Sequence, residues 1–390
     1  MRILYHHRTQ AGDAQGIHIR EIISSLRGDG HEVNEVALVA TDAPAGVQAD
    51  ARPSLLSRLK QHMPDMGREL VELGYNLVGI FKLLSAARRF RPDFIYERYA
   101  LFNFSGALAS RWLRIPLILE VNSPLAQEQA DLGQQSLGGL ARWSERWICN
   151  HASAVITVST PLRELLVKSG VTRDLITVIS NGVDTEHFHG RSEAGDEVRR
   201  RFGLSGQRVV GFVGWIRDWH GLEDLVRGMP HWPDDLSDVH LLIIGDGPAR
   251  SAIESAATEC GVADRVHITG AVPHAQIVEY LAAIDVALQP AATSYASPMK
   301  IFEYLAMAKP VVAVDQENTR EILEEGRNAL FFPPGDRVAF VSAVQEIFLD
   351  QQRLERMSAQ ARSAIFEREF LWDANARKVI EIARACQAGV

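Results

Sequence analysis

The chain has 390 residues, room for two domains of ordinary size. Hydrophobic residues make up 46% and charged residues 23%, a soluble globular balance with ample material for cores. The net charge of -8 argues against a dedicated nucleic-acid binder, while leaving room for a local basic patch.

Arg2 to Tyr5 reads as a short strand, followed by a polar loop from Thr9 to Gly16 and a helix from about Ile17 to Arg27. Gly30 to Val33 turns into a second strand. Phe94 to Tyr96, Pro116 to Val121 and Ala154 to Val158 are further strands, short and apolar as strands buried on both faces should be. The rhythm restarts with Arg208 to Gly214, His240 to Gly245, Arg265 to Thr269, Val286 to Pro290 and Pro310 to Val314. Helical patterns between these strands give the βαβ signature of parallel sheets. The fold class is therefore α/β, with two doubly wound, Rossmann-like halves.

The expected domains are 1–190, a linker at 191–206 that is polar and glycine-containing, and 207–369. Residues 370–390 are expected to form a helix crossing back to the first half. Such sheets bind ligands at the carboxyl ends of their strands, so the site is expected in a cleft across which the two halves face each other.

Three cysteines, Cys149, Cys260 and Cys386, are widely separated and show neither a disulfide frame nor zinc spacing. The apolar run at Met1 to Arg8 is too short for a secretion signal, and no run of about 20 apolar residues suggests a membrane span. A cytoplasmic protein is expected.

The densest chemistry lies in Ser297 to Ala313. Lys300 and Glu303 are one helical turn apart and can face the same cleft. An ammonium there suits a phosphate and a carboxylate suits two sugar hydroxyls, the needs of a nucleotide-sugar site. A plain surface ion pair is the alternative.

Several motifs together resemble glycosyltransferase family 4. They are Ile176 to Asp184, Gly214 to Gly221, Ile243 to Pro248, Val272-Pro273-His274, Ala283 to Val286 and the Ser297 to Pro310 block, in the family's order. The resemblance implies the GT-B fold, with an acceptor domain first and a nucleotide-sugar donor domain second. It implies a retaining, metal-independent hexosyltransferase that needs no cofactor and works in polysaccharide or glycoconjugate assembly.

Glu303 matches the second glutamate of the family's Glu-x7-Glu motif, which holds the donor ribose. Tyr295 stands where the first glutamate belongs and carries no negative charge at neutral pH. Ala296, Ser297, Pro298 and Met299 would bring backbone N–H groups near donor oxygens. After Gly214, Trp215 and His220 replace the family's diphosphate-clamping arginine and lysine. Arg217 and Lys300 are the expected replacements, with His220 as a hydrogen-bond donor.

Gly16 is expected to face the diphosphate from the first half, and Gly245 and Val272 lie in turns suited to a base. Glu120, Asn122 and Arg98 are the acceptor-side candidates, Asn122 occupying the place of the family's histidine.

The expected partners are a nucleotide-sugar donor and a sugar, lipid-linked or other hydroxyl acceptor, with no nucleic acid. The basic, leucine-rich stretch from Arg52 to Arg91 suits a peripheral contact with the cytoplasmic membrane face. Two packed helices with solvated outer faces remain the alternative there. A non-catalytic nucleotide-sugar-binding partner, or a sugar-nucleotide epimerase, is the competing function.

Overall fold

A computed structural model describes residues 1–8, 14–37, 65–131, 133, 137–189 and 192–388. Thr9 to Asp13 of the expected loop, and Arg52, Leu55, Leu56, Arg58, Leu59 and Lys60 of the basic stretch, lie outside the described residues. So do the side chains of Arg68 and Leu70.

The chain forms two compact units, Met1–Asn181 with Trp372–Val390, and Gly182–Leu371. In the first, the order is β1 (Arg2–His7), α1 (Ala14–Gly28), β2 (Glu32–Ala37), α2 (Asp65–Phe90), β3 (Phe94–Arg98), α3 (Ser105–Leu113) and β4 (Leu117–Val121). Then come α4 (Leu125–Asp131), α5 (Gly138–Asn150), β5 (Ala154–Thr157), α6 (Thr160–Lys168) and β6 (Ile176–Val178). The six strands form one parallel sheet in the order β2-β1-β3-β4-β5-β6.

Strands β3, β4 and β5 are buried at every residue, which is why they are mostly apolar rather than alternating; Glu97, Arg98, Glu120 and Thr157 are their buried polar exceptions. Helix α6 shows the local logic of a helix start. Ser159 Oγ accepts from the Leu162 N–H at 3.2 Å, and Pro161 sits in the first turn, where no amide is needed.

The second unit continues with α7 (Ser192–Arg201), β7 (Arg208–Val213), α8 (Leu222–Gly228), β8 (Val239–Ile244), α9 (Arg250–Glu259), β9 (Val266–Ile268), α10 (Ile277–Ala283) and β10 (Val286–Gln289). It ends with α11 (Met299–Ala306), β11 (Val311–Val314), α12 (Glu317–Arg320), β12 (Ala329–Phe332), α13 (Arg337–Leu349) and α14 (Gln351–Glu367). Its sheet is again parallel, in the order β12-β11-β10-β7-β8-β9. Two Rossmann-like units of this kind are the building blocks of the GT-B fold.

The last helix, α15 (Trp372–Ala388), belongs to the first unit. Ala376, Val379, Ile380 and Ala383 join Ile19, Ile22, Ile23 and Leu26 of α1 in one core. Asn375 Nδ2 donates to the Ser180 carbonyl at 2.8 Å.

Three expectations change. The division between units falls at Asn181–Gly182 rather than at residue 190. Residues 191–206 are not a linker: α7 packs on α10, where a Cβ on Gly195 would lie 2.9 Å from Ala282, and Val198 and Leu204 enter the second core. Helix α7 reads as a linker because nearly everything on its outer side is charged. Third, α1 starts at Ala14, so Gly16 lies buried inside its first turn rather than in a loop.

Among the described residues, no helix is long and apolar enough to cross a membrane. Nor, among them, does any group of three or more His, Cys, Asp or Glu residues have the makings of a metal site.

Candidate active site

In the second unit the site is built on the carboxyl ends of β7 and β8. Gly214 donates to the Ile244 carbonyl at 3.0 Å, and Ile216 donates to the Asp246 carbonyl at 2.8 Å. These two chain segments pass so closely that a Cβ on Gly245 (φ +148°) would sit 2.0 Å from the Gly214 carbonyl oxygen. Only glycine permits that crossing. Gly214 itself (φ +135°) lies against Lys300: a Cβ there would be 3.3 Å from Nζ.

Helix α11 brings Lys300 to this point. Its register is fixed by Tyr304, whose hydroxyl accepts from the Val213 N–H at 2.9 Å, and by the buried Ile301, Phe302 and Leu305. The Lys300 ammonium stands 4.3 Å from the centre of the Phe212 ring, a cation–π distance. Burial lowers its pKa to about 8, with Glu303 pulling the other way. It is thus mostly protonated at pH 7.

His220 is buried, its ring 4.7 Å from Phe212 and 4.0 Å from Trp219. Nδ1 accepts from the Arg217 N–H at 3.1 Å, so the ring proton resides on Nε2. Burial, Lys300 and Arg217 together push its pKa down to about 3. His220 is therefore a neutral donor and supplies no positive charge. Arg217 is exposed, as are Trp215 and Trp219.

Glu303 is buried one turn after Lys300. Its Oε1 accepts from His274 Nε2 at 3.0 Å, and the His274 ring packs against Phe188 at 5.8 Å and His187 at 6.3 Å. In the sequence His274 stands only within the Val272-Pro273-His274 motif, and the fold brings its ring onto Glu303. The loop of Tyr295, Ala296, Ser297 and Pro298 is strapped from behind by Asn318, whose Nδ2 donates to the carbonyls of Thr293 (3.0 Å) and Ala296 (2.7 Å). Val272 packs on the unit's core, and Gly245 bridges to Gly270 beside it.

The first unit has its own polar cluster, centred on Glu120 of β4. Tyr96 Oη donates to it at 2.6 Å, Arg98 at 3.0 Å and His18 Nε2 at 2.9 Å; Asn122 Nδ2 also donates. Burial raises the Glu120 pKa, but His18, Arg98 and Tyr96 outweigh it and hold the carboxyl well below its usual range. Glu120, Asn122 and Arg98 are brought together, and largely satisfy one another. The other ring nitrogen of His18 faces Asn181 Oδ1 at 3.0 Å, and Trp372 packs edge-on at 4.8 Å.

On the opposite face of the same sheet, His6 pairs with Glu97, both fully buried. Glu97 lies against α3 where a Cβ on Gly106 would be 2.1 Å from its carboxylate. His6 Nε2 and Glu97 Oε1 have no hydrogen-bond partner. Sequence reading missed this pair, because His6 sits in what reads as the tail of a strand.

The geometry, one half-buried ammonium beside a glycine crossing and one carboxylate a turn away, can be set beside known proteins. The model "Glycosyltransferase Family 4" matches residues 15–187, and "Glycosyl transferases group 1" matches residues 207–350. The chain belongs to glycosyltransferase family 4.

Relatives of this family 4 enzyme include the alpha-D-kanosaminyltransferase of Streptomyces kanamyceticus. It is 26% identical over 367 residues, which is 88% of this chain and 92% of that protein. A GDP-mannose-dependent alpha-mannosyltransferase of Mycobacterium tuberculosis is 26% identical over 317 residues, 81% of this chain and 79% of that one. Among solved structures, Anabaena HepE in complex with UDP superposes with a TM-score of 0.74 at 20% identity, covering 99% of this chain and 100% of that one. Sucrose-phosphate synthase from Thermosynechococcus elongatus gives 0.74 at 19% identity, covering 100% of both chains. At these identities the structural matches speak to the fold, which is GT-B.

Proposed function

We propose that this glycosyltransferase binds the donor's diphosphate with Lys300 and Arg217, with His220 Nε2–H as a third donor, and holds the donor ribose through Glu303. The observation that carries the reading is Lys300: a half-buried ammonium without an ion-pair partner among the described residues, next to a glycine whose missing side chain leaves room for a ligand. Cations placed there oppose the charge that grows on the departing nucleoside diphosphate. With that charge met by side chains, the reaction needs neither a resident metal nor another cofactor.

The backbone at Ala296, Ser297, Pro298 and Met299 frames the transferred sugar together with Tyr295, which contributes hydrogen bonding but no charge. Gly245 and Val272 border the base. Glu120, Asn122 and Arg98 serve the acceptor side, and Gly16 the donor diphosphate. Because Glu120 is fully occupied by its partners, its role is to orient Arg98 and Asn122 rather than to touch substrate.

Transfer runs with retention. The bond from the anomeric carbon to the diphosphate oxygen breaks, the acceptor oxygen bonds to the same face, and the acceptor proton passes to the leaving diphosphate. Glycoconjugate assembly is the setting, with a hydroxyl acceptor that includes a lipid-linked sugar reached at the cytoplasmic membrane face.

The test combines thermal shift with nucleoside diphosphates and an assay of donor turnover. A diphosphate at a hundredfold excess over its Kd should stabilise the protein by about 2.7 kcal/mol. Glu303→Ala should weaken that shift and cut transfer while leaving the unliganded melting temperature nearly unchanged. Donor binding without any transfer or hydrolysis by the pure protein would favour a non-catalytic binding partner, the reading suggested by His220 being uncharged.

A further inference from the structure

The first unit carries a second feature that the sugar-transfer site does not use. Parallel crossovers are right-handed. In this sheet the chain steps the same way from β2 to β3, β3 to β4 and β4 to β5, so α2, α3 and α5 lie on one face; the step from β1 to β2 runs the other way and puts α1 on the opposite face. Helix α2 packs on α3. Phe104, at the start of α3, touches the rings of Trp143 and Trp147 of α5 at 5.9 and 5.4 Å. The three helices form one continuous outer layer.

That layer is exposed in an unusual way. Leu77 (77%), Phe81 (75%) and Trp112 (73%) are nearly free of contact, and Val78, Leu108 and Trp143 are also exposed. Soluble surfaces scatter such residues singly; here three neighbouring helices present them together. Each helix also sets an exposed aromatic next to an exposed cation: Phe81 with Lys82, Arg111 with Trp112, and Arg142 with Trp143.

Beyond the first two turns of α2, whose sequence includes Asp65, Glu69 and Glu72, the charge of the face is one-sided. Lys82, Arg88, Arg89, Arg111, Arg114 and Arg142 are all exposed. Residues 73–91, 104–115 and 138–151 contain a single acid, Glu145, and it is buried with Tyr99 Oη donating to it at 3.2 Å. The whole chain is acidic at -8, so this face reverses the sign of the molecule. On the adjoining α6 the pattern stops: Glu164 is bridged by Arg163 and Arg173. Lys82 and Arg89 also line a groove of about 410 Å³ between β2 and α2.

We propose that the α2–α3–α5 face docks on the surface of an anionic phospholipid bilayer. The tryptophans and phenylalanine enter the headgroup boundary, where amphipathic rings are favoured, and the flanking cations meet lipid phosphates. A soluble polyanion would reward the cations alone and leave Leu77, Phe81 and Trp112 unexplained. This moves the membrane contact away from residues 52–64 and names the helices that make it. It rests on the proposed function only in that the acceptor is then within reach at the bilayer.

Vesicle co-flotation of the full chain tests the proposal with no substrate present, so its failure is separable from any failure of the transfer reading. The parent should partition at least tenfold better to phosphatidylcholine vesicles containing phosphatidylglycerol than to phosphatidylcholine alone, and added salt should weaken this. Arg89→Ala/Arg111→Ala/Arg142→Ala should lower partitioning by about a hundredfold, because each cation near the surface contributes severalfold. Trp112→Ser/Trp143→Ser should lower it at every salt concentration, with an unchanged melting temperature showing an intact fold. Equal partitioning to both vesicles, or parent-like behaviour of the triple variant, overturns the proposal. So does binding insensitive to the tryptophan pair and abolished by a soluble polyanion such as polyuridylate, which would make the face a polyanion site.

Discussion

The two units end their sheets in opposite electrostatic states. Around Glu120 in the first, every charge is matched: one carboxylate takes His18, Arg98, Tyr96 and Asn122, and burial has not neutralised it. Around Lys300 in the second, the ammonium has, among the described residues, a ring face and a carboxylate one turn away but no ion pair; its pKa drops, and the neighbouring histidine is stripped of charge. A matched buried cluster fixes the geometry of the fold. An unmatched cation is held at a cost in stability and is relieved when an anion arrives. The same type of sheet thus carries a matched polar cluster in one unit and an unmatched cation in the other, the one proposed to receive an anion.

Removing the centre of the matched cluster should be the most damaging change. Glu120→Ala leaves His18, Arg98 and the Tyr96 hydroxyl buried without their acceptor, and should cost about 3–5 kcal/mol in denaturant unfolding. The pH dependence has a definite sign. The folded pKa of Glu120 lies below its unfolded value of 4.5, so the stability it contributes is present above pH 4.5 and is lost as pH falls below that. Glu120→Ala should be less acid-sensitive than the parent over that window. An unchanged unfolding midpoint would contradict the idea of a matched cluster.

Lys300→Ala addresses the other side of the contrast. Turnover should fall by about 10²–10³-fold, the loss typical for one transition-state donor, while the unliganded protein keeps or slightly gains stability. A variant that lost stability in step with activity would show that Lys300 is a structural cation.

Sequence alone made much of this legible. Short apolar runs between glycine-bearing turns marked the strands buried on both faces, and the order of motifs pointed to the family and its fold. What escaped it depends on distance along the chain. Glu303 and His274 are 29 residues apart, and nothing local in Val272-Pro273-His274 says that the imidazole reaches back to α11. Asn318, which straps the Tyr295 to Pro298 loop, reads as an ordinary polar residue of a short helix. Helix α7 was hidden by its charged outer surface, since only Val198 and the following Leu204 announce its buried side. Strand β12 was likewise missed, being four residues long between turns.

Acidity sharpens the comparison further. A Lys300 pKa of about 8 in the free protein should appear as a falling limb in kcat/KM for the donor, with roughly a tenfold loss between pH 7 and pH 9. The sign follows from protonation: in the proposed site the ammonium would bind diphosphate and the amine would not. In kcat the limb should move to higher pH, because bound diphosphate favours the charged form. Glu303, His220 and Arg217 face the same site, but His220 has already lost its proton across this range. A limb that survives in Lys300→Arg would have to come from another group.

The smallest effect expected is at His274, and it separates positioning from contact. His274→Ala removes one hydrogen bond from a buried carboxylate without removing the carboxylate itself. The Glu303 side chain then loses its fixed orientation, a change of about 1–1.5 kcal/mol, or roughly a tenfold rise in donor KM. kcat should change little, since the proposed ribose contact would be made equally in the ground and transition states. His274→Gln keeps a donor of similar reach and should recover most of the KM. If Gln fails to rescue, or kcat falls as far as in Lys300→Ala, then His274 works at the reacting bond rather than through Glu303, and the second unit's receptor has one more member than its unmatched cation suggests.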